Sequence, residues 1–126
     1  MFMAALMTLS MMAGQPAEGA PQRFRGELDE NLSSAVDHSI IVHGRLEDAE
    51  LCLADSVYAV GVPVVLRDGP DKFVIAAFGA ASPVVFVTIS LSPAGEGSWR
   101  ADIRVRGRGW DDRMAERVRG CFRAQP

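Results

Sequence analysis

The sequence is poor in cysteine, histidine and lysine, and these scarcities exclude several classes of protein. Only 2 Cys and 2 His occur in 126 residues, and no C-x-x-C pair or four-ligand spacing of a structural zinc site is present. Lys72 is the single lysine among 13 basic residues, and the formal net charge is −3. Because phosphate binding depends on an excess of basic residues, a dedicated nucleic-acid-binding protein is not expected. The sequence predicts no cofactor and no metal site.

Long apolar runs are also missing, although the chain is rich enough in hydrophobic residues to fold. No run approaches the roughly 20 residues that a membrane-spanning helix needs, so no integral membrane span is expected. Hydrophobic residues make up 48% and charged residues 23% of the chain, which is typical of a packed globular protein. A chain of this length favours one domain with one core.

The N-terminus has the composition of a signal peptide. Residues 1–14, MFMAALMTLSMMAG, are uncharged and apolar, and residues 15–21 combine small residues with prolines. This order matches the apolar and cleavage regions of a secretory signal, although no Lys or Arg precedes the apolar run. We predict a signal peptide in 1–20, a linker in 21–28 and a single domain in 29–126, located in the periplasm or secreted. The alternative is an uncleaved N-terminal helix in a cytosolic protein.

The two cysteines, Cys52 and Cys121, both follow the predicted cleavage region. An oxidising compartment would allow them to form one intramolecular disulfide. Such a bridge would close a loop of about 70 residues, for which the loop-entropy argument gives on the order of 4 kcal/mol. The alternative is two buried free thiols. We predict the disulfide as part of the export hypothesis.

Hydrophobic periodicity predicts helices on both sides of a central β region. Leu32, Val36 and Ile40 recur every four residues and favour a helix from Asp29 to near Gly44, although the run Ile40–Val42 could form a short strand instead. A second helix is predicted from Leu46 to before Gly61. A third, from about Trp110 to Arg123, carries its apolar residues on one stripe: Trp110, Met114, Val118, Cys121 and Phe122.

Between these helices the period changes to that of β-strands. Four strands are predicted, at Val62–Arg67, Lys72–Phe78, Val84–Ser92 and Trp99–Arg106. Turn-forming residues separate them and favour a meander. The predicted fold class is therefore α+β: an antiparallel sheet of about four strands, with the N-terminal helix or helices and the C-terminal helix packed on one face.

Catalytic signatures are weak. His38 and His43 are five residues apart, which puts them on opposite faces of a strand and prevents a side-by-side metal pair. No G-x-S-x-G motif accompanies them. Gly107-Arg108-Gly109 lies where a phosphate-binding loop could occur, but Asp111 and Asp112 follow it and would repel a phosphate. No catalytic residue is predicted.

Basic residues concentrate in the last quarter of the chain. Residues 1–97 carry 5 basic and 12 acidic side chains, whereas residues 98–126 carry 8 basic and 4 acidic ones. Guanidinium groups match carboxylates and phosphates, so this part is the candidate binding face, with the alternative that the arginines simply pair with acidic residues of the first half. The candidate residues are Arg100, Arg104, Arg106, Arg108, Trp110 and Arg113.

These patterns favour a small exported, non-enzymatic binding module. Its expected partner is an acidic envelope protein, an anionic glycan or a lipid head group. A small exported hydrolase and an enzyme inhibitor are the alternatives, the inhibitor presenting a loop such as Pro93–Gly97. A cytosolic interaction domain with free thiols is the third hypothesis.

Intact mass of the protein from its native host tests the compartment. We expect a mass that lacks about the first twenty residues, with both thiols blocked to alkylation until a reductant is added. A full-length mass with two freely alkylated thiols would contradict export and favour the cytosolic domain.

Overall fold

The computed structural model describes residues 24–79, 84–107 and 110–125. These residues form three helices and five strands. In chain order they are α1 (24–33 in its described part), β1 (His38–His43), α2 (Leu46–Tyr58), β2 (Val62–Arg67), β3 (Phe73–Phe78), β4 (Val85–Gly95), β5 (Ser98–Val105) and α3 (Trp110–Arg123).

The strands form one antiparallel sheet in the order β1-β5-β4-β3-β2. Strands β2 to β5 make the predicted meander, and the helices pack on the sheet, which confirms the α+β class. The number of strands is five rather than about four. The additional strand is β1, which pairs with β5 and forms one edge of the sheet.

The predicted helix from Asp29 to near Gly44 is wrong over most of its length. Helix α1 includes residues 24–28, which had been expected in a linker, and it ends at residue 33. The alternative of a short strand at Ile40–Val42 is confirmed, since the run lies in β1, where Ile40 and Val42 are buried and Ile41 is exposed. Pairing with β5 provides backbone partners and a buried side for the two inward residues, and this outweighs the four-residue spacing.

Helices α2 and α3 cover one face of the sheet. Leu53 and Val57 of α2 and Met114 and Val118 of α3 are fully buried in a single core cluster. The sheet contributes alternate residues to this cluster: Ile40, Val42, Phe73, Ile75, Ala77, Val87, Ile89, Leu91, Ala101 and Ile103. The C-terminal helix therefore packs as expected.

Helix α1 lies on the opposite face, which corrects the expectation that all helices share one face. Leu28 clusters with Ala76 and Val85, and Phe24 and Phe78 pack beside them. Ala76 lies between Ile75 and Ala77, which point to the other core, so successive residues of β3 point to opposite sides. The sheet is thus covered on both faces around β3.

Cys52 of α2 and Cys121 of α3 are joined by a disulfide, with 5.5 Å between their Cα atoms. The bond spans 69 residues of sequence and links the two helices of one layer. The backbone carbonyl of Ser56 also accepts a hydrogen bond of 2.9 Å from the Arg117 guanidinium. These two contacts join α2 to α3.

The C-terminal tail binds the backbone of the residue that precedes α2. Arg45 at the N-cap makes no side-chain capping bond. The Gln125 side chain instead accepts from the Arg45 N–H at 2.8 Å and donates to the Arg45 carbonyl at 2.8 Å. A Cβ atom at Gly44 would come within 2.5 Å of the Gln125 side-chain oxygen. Glycine at position 44, with φ of 143°, therefore permits this contact.

Within the described residues, every helix is too short or too polar to cross a membrane.

Replacing both cysteines by alanine tests the contribution of the disulfide. Because the bridge restricts the unfolded chain, we expect the double variant C52A/C121A to lose on the order of 4 kcal/mol of unfolding free energy, measured by urea denaturation. The wild-type protein in excess reductant is the control and should unfold at the same urea concentration as the variant. Equal midpoints for the oxidised wild type and the variant would contradict this contribution.

Candidate functional site

Three of the predicted arginines lie on the same side of the sheet. Arg100, Arg104 and Arg106 alternate with the buried residues Ala101 and Ile103 of β5, so they point away from the α2–α3 layer. Arg108, the fourth predicted arginine of this run, lies outside the described residues. The alternation of charged and apolar residues from Trp99 to Arg106 is visible in the sequence and is typical of a strand with one charged side.

Trp110 and Arg113 belong to a different surface. Both lie on α3, which packs on the opposite side of the sheet, and the Arg113 guanidinium sits 5.5 Å from the centre of the Trp110 ring. This distance is typical of a cation–π contact. The structure therefore divides the predicted binding residues between two sides of the molecule.

Arg104 and Arg106 are engaged by α1 and the segment after it. The Arg104 Nε donates to the backbone carbonyl of Ser34 at 3.0 Å, and a guanidinium nitrogen of Arg106 lies 4.0 Å from a carboxylate oxygen of Glu27. These contacts fix the helix over the sheet. Their role in positioning α1 competes with a role in binding a partner.

Thr88 of β4 also binds α1, on the same side of the sheet as Arg104 and Arg106. It is the single fully buried polar side chain among the described residues, and its hydroxyl donates to the side-chain oxygen of Asn31 at 2.6 Å. A buried hydroxyl needs such a partner because leaving it unpaired costs about 1–3 kcal/mol. Helix α1 therefore has a defined place over β3 and β4 and does not extend over β1.

Beyond α1, no described residue packs on the same side of the sheet over β1, β5 and the end of β4. The strand register places its side chains in three rows across the strands. We call this surface the open face; its members are Ser39, Asp102 and Ser90 in the first row, Ile41, Arg100 and Ser92 in the second, and His43 and Ser98 in the third. All except Ile41 are polar, and each is partly or largely exposed.

Asp102 contacts a side chain in each of the first two rows. One carboxylate oxygen accepts from the Ser39 hydroxyl at 2.7 Å, and the other lies 3.4 Å from the Arg100 Nε. The side chain of Arg100 is 57% exposed, and that of Asp102 is 18% exposed. The guanidinium thus contacts the Asp102 carboxylate while much of its surface faces solvent. Its remaining N–H groups can still donate hydrogen bonds to a partner.

The two histidines lie on opposite sides of β1, as their spacing predicted. His43 is on the open face, where its Nδ1 is 2.8 Å from the Ser98 hydroxyl oxygen. His38 is on the α3 side, where its Nδ1 is 3.4 Å from a carboxylate oxygen of Asp112. Among the described residues, His43 has no ion pair with a carboxylate.

Two larger cavities lie mostly outside the open face, and Ser98 is the one residue of that face that lines either of them. One of about 620 Å³ is formed between α1 and strands β2 and β3, with Phe24, Leu28, Leu66 and Val74 in its walls. Its apolar lining belongs to the contact between the helix and the sheet. It contains none of the predicted site residues.

A second cavity of about 480 Å³ lies at the end of the sheet where the hairpin loops meet the start of α2. Trp99 and Phe73 line it, and the Trp99 indole N–H donates to the Gly44 carbonyl at 3.3 Å. At its rim the Glu47 hydrogen bond and the nearby Asp48 charge raise the pKa of the Arg45 guanidinium. Residues 93–97 beside it, which form the end of β4 and the turn into β5, are exposed.

Sequence reasoning missed the serines on this side of the protein. The serines of the open face come from three separate strands, and only the strand order brings them together. The pairing of β1 with β5 is the missing step, because the sequence favours a helix here and offers a short strand only as the alternative.

Neither a model of a known protein family nor a curated protein sequence matches the chain.

Proposed function

We propose that this protein is a small exported binding module that contacts its partner through the open face. The observation that carries the binding proposal is the uncovered polar half of the sheet beside α1. Antiparallel sheets commonly leave one polar face in water, and here that face places serine hydroxyls from three strands around Arg100. Such a flat polar surface suits recognition by hydrogen bonds rather than by burial of a ligand in a pocket.

The export proposal rests on the signal-like N-terminus together with the Cys52–Cys121 disulfide. Disulfides persist in oxidising compartments such as the periplasm and the extracellular space. The bridge is compatible with this location, and the intact-mass measurement decides it. The partners that fit the compartment are an acidic envelope protein, an anionic glycan or a lipid head group.

Arg100 is the residue that the proposal makes central. Its neighbours in the second row are Ile41 on one side and Ser92 on the other, so a partner carboxylate, sulfate or phosphate could accept from the guanidinium and from the serine hydroxyl together. Arg104 and Arg106 are poorer probes because their substitution would also remove contacts with α1 and the segment after it.

The substitution Arg100→Glu tests the open face. We expect it to abolish capture of envelope partners by the immobilised protein, because it reverses the charge at the centre of the face while leaving the core intact. Proteomic comparison of the captured material gives the readout, and circular dichroism confirms that the variant is folded.

The matched control is Arg123→Glu, which makes the same charge change at an exposed position of α3 on the other side of the molecule. It should leave the set of partners unchanged. Equal capture by the wild type and R100E would reject the open face, and equal loss in both variants would indicate a nonspecific effect of net charge.

A hydrolase is the second candidate, favoured by the 2.8 Å contact between His43 and Ser98. A serine within hydrogen-bond reach of an imidazole is the first requirement of an activated nucleophile. The pair lies on the exposed sheet surface, however, and no carboxylate of the described residues orients the imidazole. This geometry favours a surface hydrogen bond over a catalytic dyad.

A fluorophosphonate probe separates the two functions, because it labels only activated serines. We expect the wild-type protein to remain unlabelled, with a known serine hydrolase as the positive control. Stoichiometric labelling that disappears in Ser98→Ala but persists in Ser92→Ala would instead establish Ser98 as a nucleophile and replace the binding module by a hydrolase.

A further inference from the structure

A mixed cluster of metal-binding side chains lies on the side of the sheet away from the open face. His38 at the start of β1 faces Asp111 and Asp112 in the first turn of α3, and one ligand atom from each lies within 4.8 Å of the other two. The three residues come from two elements that are more than 70 positions apart in the chain. Their proximity is therefore a product of the fold and could not be read from local spacing.

One distance within the cluster equals the separation of two ligands on a zinc ion. Ligands about 2.0–2.1 Å from a tetrahedral zinc ion are separated from each other by about 3.4 Å. The Nδ1 atom of His38 and the nearest Asp112 carboxylate oxygen lie 3.4 Å apart. A carboxylate oxygen of Asp111 lies within 4.8 Å of both atoms.

The donor types select a class of metal. Imidazole nitrogen combined with carboxylate oxygen suits zinc and the neighbouring divalent transition metals, whereas calcium and magnesium prefer oxygen ligands alone. The histidine is also partly shielded, with 27% of its side chain exposed, while the side chain of Asp112 is 82% exposed. An ion could therefore approach from solvent and bind without rearrangement of the core.

The charge balance also favours a cation. Two carboxylates contribute two negative charges, and the helix N-terminus opposes them with a partial positive charge of about one half. The carboxylates thus retain most of their attraction for a divalent ion. Acidic residues at a helix start stabilise the helix by themselves, but this effect does not require a histidine from a different element to face them.

We propose that His38, Asp111 and Asp112 bind one divalent transition-metal ion, with Zn²⁺ as the best match. Three protein ligands leave one tetrahedral position for water or for a donor atom of another molecule. The bound ion links the first turn of α3 to the edge strand β1. This site is independent of the open face and of the proposed partner binding.

Titration of the untagged full-length protein with Zn²⁺, followed by isothermal calorimetry at fixed neutral pH, tests the site. We expect one ion per chain and an affinity at least tenfold lower in His38→Ala. The chain contains only 2 His, so the imidazole NMR signals can be assigned with one variant, and Zn²⁺ should shift those of His38 alone.

His43→Ala is the matched control, because His43 lies on the opposite side of the same strand and should not alter binding. Asp112→Asn provides a second variant at a highly exposed position, where folding is not at risk, and it should also weaken binding at least tenfold. Absence of saturable binding in the wild type, or the same affinity in H38A and D112N as in the wild type, would overturn the proposal. Equal loss in H43A would do so too.

Discussion

The burial of β3 on both of its faces is the constraint on which the rest of the fold depends. Five of its six residues are buried, from Phe73 to Ala77. A strand of this kind must be covered on both sides, since each exposed apolar side chain would forfeit about 1.5–3 kcal/mol. Helices α2 and α3 cover one side, and α1 is needed on the other.

The same constraint explains why α1 stops where it does. Strand β5 is apolar only toward the α2–α3 layer and carries charged residues on its other side. A helix extended across β5 would bury Arg100 and Asp102, at a desolvation cost that their single ion pair would not recover. Helix α1 therefore covers β3 and β4 and leaves the remaining side of the sheet to solvent.

Much of the fold could be predicted from the sequence because local patterns and long-range packing agree there. Helix α3 was predicted with its observed bounds, since its apolar stripe is strong and the layer uses the whole stripe. The pairing of Cys52 with Cys121 followed from there being only two cysteines. The four strands of the meander were found because clear turn residues separate them.

The prediction was wrong where two local patterns compete. Leu32, Val36 and Ile40 have helical spacing, but Val36 is 39% exposed and lies between α1 and β1. The true helical face is formed by Phe24, Leu28 and Leu32, also four residues apart. The charged residues around them favoured the linker interpretation. The uninterrupted apolar run of β3 was the available signal for a second covering layer, because a strand exposed on one side would alternate.

Contacts between distant segments could not be predicted by any local pattern. The open face depends on the order of three strands. The hydrogen bonds between Gln125 and the Arg45 backbone join residues 80 positions apart, and the His38 cluster joins a strand to the last helix. Residue type suggested a role for the arginines of β5. Residue type could not show that Arg104 and Arg106 contact α1 and the segment after it, whereas Arg100 contacts Asp102.

The internal pairing of the open face restricts the chemistry of whatever covers it. Asp102 already accepts a hydrogen bond from Ser39 and contacts Arg100. Some polar groups of the open face are therefore already paired, and an apolar partner would add no hydrogen bonds to the others. Covering it with hydrocarbon would remove water from Arg100 without replacing the lost hydrogen bonds, at a cost of several kcal/mol. A partner must instead bring acceptors for the guanidinium and groups that pair with the serine hydroxyls. Anionic, hydroxyl-rich surfaces meet both requirements, and this is the physical reason to prefer a glycan or an acidic polar protein surface over an apolar one.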